Sequence, residues 1–251
     1  MEMEGKFEEI KQEILRRAHE ACACKEQYGR AYNAKDMAGL CQVIKDNWCW
    51  CCKFAVVTPD LLEKYREEFA GQQIYVNVDT DNGFLLASDN ATVRASGNAT
   101  VEACDNATVE ACGNATVEAC YNVKVRASDN AKVRASDNAT VRASGNATVE
   151  AWGNVKVRAS DNATVEAWGN ATVRASDNAT VEAWGNATVE ACYNATVRAS
   201  GNATVEACDN AYCTSYSMIE CKLSGHALHK VRSTNTVYFA SDGIKFVKQE
   251  S

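Results

Sequence analysis

From Asp89 to Asp209 a new eight-residue unit begins at every eighth position, sixteen in all, with the consensus (Asp/Gly/Tyr)-Asn-Ala-(Thr/Lys)-Val-(Arg/Glu)-Ala-(Ser/Cys/Trp). Ala, Val and Ala at the third, fifth and seventh positions alternate with polar residues. That period of two is the signature of a strand with one buried face. Gly or Asp ahead of Asn tolerates left-handed backbone and supplies a corner. Each octad therefore makes one short strand and one turn. A single unit cannot bury its own apolar stripe, but stacked units can, so the repeat predicts a solenoid with one continuous core. Strands then pair in parallel with their equivalents one coil away, at about 4.8 Å. A core of Ala and Val brings the two sheets close together. The expected body is a flat prism, not a wide triangular helix.

The coil length is written in the tryptophans. Trp152, Trp168 and Trp184 stand sixteen residues apart and are the only tryptophans in the repeats. Two octads per coil places them in one column. The reading is thus mainly β, a two-sided parallel β-solenoid of sixteen-residue coils. In the sixth and eighth positions Arg accompanies Ser, whereas Glu accompanies Cys or Trp. With two octads per coil, Glu150, Trp152, Glu166, Trp168, Glu182 and Trp184 fall on one face, together with Glu102, Glu118, Cys104 and Cys120. Arg142, Arg158 and Arg174 fall on the opposite face, where Glu110, Glu190 and Glu206 are exceptions. Like charges one coil apart repel by roughly 0.2–1 kcal/mol per pair, so stability alone would not sort them this way.

The ends read differently. Residues 1–72 carry helical spacing, and three helices are expected. Phe7, Ile10, Ile14, Ala18 and Ala21 line one face, and Met37, Leu40, Cys41, Ile44 and Trp48 another. Thr58-Pro59-Asp60 reads as N-cap, first-turn proline and dipole-complementing acid, ahead of Leu62, Tyr65 and Phe69. This small N-terminal α-helical domain is expected to cap the solenoid of residues 73–216, whose end coil would otherwise expose its core and an unpaired edge. Phe84 and Leu86, apolar at outward positions of an otherwise octad-like segment, are the expected seat for it. Residues 217–251 keep a period of two with larger side chains. Ile219, Cys221 and Leu223 are expected inward, Asn235, Val237 and Phe239 in register, and Ile244 and Phe246 after a slip at residues 241–243. This stretch reads as degenerate coils forming a cap or a self-association surface.

The pattern resembles two-sided β-solenoids with sixteen-residue coils, such as bacterial ice-nucleation proteins, in architecture only, because the octad motif differs. It is more similar to bacterial and phage proteins built from NATVEA-type octapeptides behind a short helical region. That resemblance covers most of the chain and implies the solenoid, with no activity to transfer.

The chemistry is sparse. A net charge of -7 argues against nucleic acid as a partner. No run of about 18 apolar residues suggests a membrane span, and the acidic start MEMEGKFEEIKQ has no export-signal core, so the chain reads as soluble and cytoplasmic. In that setting thirteen cysteines are expected as free thiols, and the twelve Asn-Ala-Thr sequons as structural asparagines. Cys22, Cys24, Cys41, Cys49, Cys51 and Cys52 form the densest thiol group, but Cys-x-Cys on a helix points its thiols apart, zinc pairs usually take Cys-x2-4-Cys, and the repeats use cysteine freely in a slot otherwise held by Ser or Trp, so no metal is assigned. Cys213 and Cys221 occupy the valine slot and are expected buried, whereas Cys104, Cys112, Cys120, Cys192 and Cys208 occupy the outward slot. His19 sits on a helix among charges, His226 and His229 lie in one degenerate octad with no acid partner at useful spacing, and no nucleophile elbow, phosphate loop or HExxH is present. No catalytic residue or cofactor is assigned.

Three functions remain open. A structural or interaction protein would dock its acidic-aromatic face (Glu150, Trp152, Glu166, Trp168, Glu182, Trp184) or its basic face (Arg142, Arg158, Arg174) onto a protein partner or onto another copy of itself. A ligand-binding module would use the tryptophan column against sugars or cations. An ice-organising surface would use the threonine rows.

Overall fold

The computed structural model describes residues 2–240, with side chains from residue 5. The expected slip at residues 241–243 and the inward Ile244 and Phe246 lie outside the described residues. Six helices come first: α1 (Glu2–Glu20), α2 (Lys25–Tyr32), α3 (Met37–Asp46), α4 (Trp48–Lys53), α5 (Pro59–Lys64) and α6 (Arg66–Ala70). β1 (Ile74–Val76) and β2 (Phe84–Ala87) follow. Strands β3 to β17 then occupy positions four to seven of successive octads, from Thr92–Ala95 to Thr204–Ala207. β18 (Tyr212–Ser215), β19 (Glu220–Leu223), β20 (Leu228–Val231) and β21 (Thr236–Phe239) complete the described chain. None of the helices is long and apolar enough to cross a membrane.

Each octad strand pairs in parallel with the strand sixteen residues away, as in Val149 opposite Val165 and Val157 opposite Val173. Even-numbered octad strands therefore fall in one sheet of twelve strands (sheet A) and odd-numbered ones in another of nine (sheet B). The parallel two-sided solenoid of sixteen-residue coils is present as the sequence predicts. Val93, Val101, Val109 and their equivalents face inward, and with the alanines of positions three and seven they form one core along the whole stack.

The corner chemistry explains the first two letters of the octad. All sixteen position-one residues, from Asp89 to Asp209, adopt left-handed backbone with φ between 55° and 77°. Glycine adopts it freely and Asp at modest cost. At Gly97 a side chain is excluded outright, because a Cβ would lie 2.2 Å from the Asp81 carbonyl oxygen. The asparagines carry the ladder around the bend. Asn154, Asn170, Asn186 and Asn202 each donate from Nδ2 to the Asn Oδ1 one coil earlier, at 3.3–3.5 Å. Stacked amides of this kind satisfy one another much as they do in cross-β ladders.

The N-terminal unit departs from three helices in definable ways. The second expected helix breaks at Asn47, whose Nδ2 bonds back to the Val43 carbonyl at 2.8 Å. The third breaks at Tyr65, with φ -120° and ψ 39°. Apolar spacing runs through both breaks, so periodicity alone joins the pieces. α2 buries only Ala31 and has no apolar stripe to announce it. The Thr58 cap is as expected, with Oγ1 accepting from Leu61 N at 3.4 Å beside a first-turn proline.

The helical unit sits on the first coils. Leu86 is buried among its side chains, and Trp48 meets Phe84 edge-on with centroids 5.5 Å apart. β1 belongs to both bodies, since Ile74 and Val76 point into the helical core while Tyr75 packs on the solenoid core. α4 extends this contact along the outer face of sheet A, where Cys49 reaches Glu118.

At the other end two expectations fail. Val237 and Phe239 do not continue the inward register. The chain reverses after Val231, and β21 runs antiparallel to β20 in sheet A, leaving Val237, Tyr238 and Phe239 about 40% exposed (38%, 41% and 40%). β19 is consequently the edge of sheet B. With no strand beyond it among the described residues, Cys221 is half-buried, whereas Cys213 is fully buried.

Candidate interaction faces

Two rows of side chains distinguish the outer surfaces. On sheet A, Glu150, Glu166 and Glu182 stand directly opposite one another on consecutive strands. On sheet B, Arg142, Arg158 and Arg174 do the same. The structure brings together each set that the sequence grouped, on opposite sheets.

The sorting is less complete than the sequence reading holds. Arg134 and Arg198 also belong to sheet A and close the acidic run at both ends. Arg134 reaches Glu118 and Glu150, each at 3.4 Å, and Arg198 reaches Glu182 at 3.2 Å. Glu166, in the middle, has no ion pair among the described residues. On sheet B, Glu110 takes Arg94 and Arg126 at 3.2 and 3.3 Å, and Glu190 takes Arg174 at 2.7 Å. Arg142 and Arg158 have no ion pair among the described residues. The Glu exceptions on the basic face thus neutralise its ends, and the charge that stays open is concentrated in the central coils. Both Arg134 and Arg198 could have been found from the octad count, since strand parity alone assigns them to the acidic sheet.

An open groove of about 960 Å³ runs along the basic face, lined by Arg126, Arg142 and Arg158 with Ser128, Ser144 and Ser160 beside them. These serines are the sheet-B occupants of position eight, at a half-buried corner.

On sheet A the same corner holds the tryptophans. Trp152 and Trp168 stack with centroids 5.2 Å apart and planes 8° apart, and Trp168 and Trp184 with 4.9 Å and 11°. The rings face each other along the solenoid axis, so their π faces are mutually covered and the column presents edges outward. Its first free face is occupied by Arg134, whose guanidinium carbon lies 5.3 Å from the Trp152 ring centroid. The column is therefore a self-stacked ladder, which covers most of the ring faces that a sugar or cation would need.

Position eight also carries the cysteines. Cys192 and Cys208, one coil apart, form a disulfide, which corrects the expectation of free thiols at these two positions. Cys104 and Cys120 are free but half-buried. Burial, then nearby acids, pushes their thiols up to about 12 and about 11, so they are poor nucleophiles at neutral pH. Cys22 and Cys24 lie beyond the end of α1 and are exposed.

Beneath α4 the acidic row changes character. Glu102 is buried against the helical unit, and burial first, then the Glu118 charge, pushes its carboxyl up to about 7. The Cys49 thiol donates to Glu118 Oε2 at 2.9 Å and is itself pushed up, chiefly by burial. His229 fills a valine slot in the core, and its Nε2 pairs with Ser215 Oγ at 2.8 Å, with no carboxylate paired to it among the described residues. That pair is part of the packing, sealed from solvent. Comparisons with known protein families, curated proteins and solved structures found no match to this chain.

Proposed function

We propose that this is a non-enzymatic interaction protein that associates through its two charged faces, the acidic row of one molecule docking on the arginine row of another. The observation that carries this reading is the match of the two rows. Glu150, Glu166 and Glu182 repeat at the coil spacing, and so do Arg142, Arg158 and Arg174. Both rows rise about 4.8 Å per coil, so a second copy meets the first charge against charge over three coils. Their open centres, Glu166 on one side and Arg142 and Arg158 on the other, are where intramolecular pairing leaves charge for a partner. The edges of the tryptophan ladder add an apolar strip beside the acidic row. Because the two faces are on opposite sheets, such contacts are heterologous and extend into open stacks.

The ligand-binding alternative loses support from the stacking, which covers the ring faces it needs. The ice-binding alternative requires a flat threonine surface. Here Arg and Glu flank every threonine row, and Lys replaces Thr at Lys124, Lys132 and Lys156.

Sedimentation velocity across ionic strength tests the proposal. Association is expected at low salt, fading once the Debye length falls to about 8 Å near physiological salt and below. The triple variant Glu150→Gln, Glu166→Gln, Glu182→Gln should fold and remain monomeric at low salt. A parent chain that is monomeric at every salt, or a triple variant that assembles as the parent does, would overturn the reading.

A further inference from the structure

Where α4 lies on sheet A, three metal-ligating groups from distant parts of the chain converge. Cys49 Sγ, one carboxylate oxygen of Glu102 and one of Glu118 all lie within 4.8 Å of one another. Cys49 comes from the helical unit, and the two glutamates stand opposite each other on adjacent strands of the solenoid. Glu102 is only 9% exposed, and its Oε2 has no hydrogen-bond partner among the described residues. A buried carboxylate oxygen without a partner is costly. Two carboxylates held this close repel unless a proton or a cation stands between them.

We infer that Cys49, Glu102 and Glu118 form a divalent-metal site of the zinc class, which ties the helical unit to the solenoid. A thiolate with two carboxylates suits zinc, which binds sulfur at about 2.3 Å and carboxylate oxygen at about 2.0–2.2 Å. In a tetrahedral shell such donors lie roughly 3.5 Å apart, so small side-chain rotations close the present set. Calcium and magnesium take oxygen ligands, and Ca²⁺ wants six to eight of them, so the thiol argues against both. Binding releases the Cys49 thiol proton and gives the buried Glu102 carboxylate a directly bound cation in addition to Lys53, which lines the same cavity. The fourth position is open to water or to one of the thiols lining the same cavity of about 450 Å³, namely Cys52, Cys104 and Cys120. Glu102 and Glu118 stand 53 and 69 positions away from Cys49, so no local spacing in the sequence brings the carboxylates to the thiol.

Cobalt(II) titration of the chelator-treated full chain, under a phosphine reductant, tests this site. The expected result is a thiolate-to-cobalt charge-transfer band that saturates at one equivalent and is displaced by zinc. Cys49→Ser should abolish the band, and Glu102→Gln or Glu118→Gln should weaken cobalt affinity by at least ~10-fold. Cys22→Ser and Cys208→Ser should leave it unchanged. If Cys49→Ser fails to fold, the near-isosteric Glu102→Gln decides. Folded parent protein without the band means that a shared proton, not a metal, holds the cluster, and overturns the inference. So does a full band in Cys49→Ser, unaltered affinity in Glu102→Gln, or a band lost in Cys22→Ser or Cys208→Ser.

Discussion

Trp152 and Trp168 lie face to face, 5.2 Å between centroids and 8° between planes, because the sixteen-residue coil returns the chain to the same corner with the same rotamer space. Trp184 extends the stack. Offset or stacked aromatic pairs contribute about 0.5–1.5 kcal/mol each beyond their buried area. Trp168 makes two such contacts and Trp184 one. Trp168→Ser is therefore expected to cost about twice the stability of Trp184→Ser, although Ser is the natural occupant of this slot elsewhere. Chemical denaturation of the two single variants checks the order, and equal losses would remove the stack from the account.

The left-handed corners make opposite predictions at two position-one sites. Tyr121 has φ 58°, a conformation that costs a residue with a Cβ roughly 1–2 kcal/mol, and its side chain is 58% exposed. Tyr121→Gly should stabilise the chain by about 1 kcal/mol, less the added freedom of the unfolded glycine. Gly97→Ala should destabilise it, because the new Cβ would fall 2.2 Å from the Asp81 carbonyl oxygen. Thermal melts of the two variants should shift in opposite directions.

Val141 is fully buried in the middle of the stack. Val141→Asp would place a carboxylate among alanines and valines with no polar partner. The expected loss is more than about 3 kcal/mol. In a stack held by nearest-neighbour contacts the damage should spread from that coil, so hydrogen exchange should rise first in the strands beside β9 (Thr140–Ala143). A parent-like melt would place position five on the outside.

His229 gives the pH prediction. Burial holds its imidazole below the ordinary value. The unfolded chain takes up a proton near pH 6.5, whereas the folded chain does not until the pH falls further. Stability is therefore lost as pH drops below about 6.5, and His229 contributes no pH dependence above it. The double variant Ser215→Ala, His229→Val restores the consensus residues at both positions and removes the buried pair together, leaving no orphaned hydroxyl. Its stability should fall less steeply than the parent's between pH 7 and pH 5. Parallel slopes would show that other groups set the acid sensitivity.

Most of the architecture was legible in the octad because each letter answers a local physical demand. Alternation at Ala147, Val149 and Ala151 fixes which side is buried, and a one-residue slip would turn every charge inward. The spacing of Trp152, Trp168 and Trp184 fixes the coil at sixteen residues, and with it the opposite placement of Glu166 and Arg158. The helix breaks at Asn47 and Tyr65 were hidden because apolar spacing continues through a short break. The reversal into β21 was hidden because a strand's period of two reads the same in either direction.

Repetition therefore determined the fold, the buried set and the row to which each charge belongs, all of which depend on neighbours eight or sixteen residues away. Tertiary structure decided what depends on approach between unrelated segments or on side-chain orientation. Fixed alternation cannot say that the tryptophans would cover one another's faces, since ring rotation is free of it. Nor can it say that Arg134 would divide the acidic row between Glu118 and Glu150. Least of all could it place Cys49 against Glu102 and Glu118, because burying Leu86 and Phe84 under the helical unit is what carries α4 onto that face. A periodic chain specifies its own lattice, but a contact between that lattice and an aperiodic segment is set by packing, which no repeat encodes.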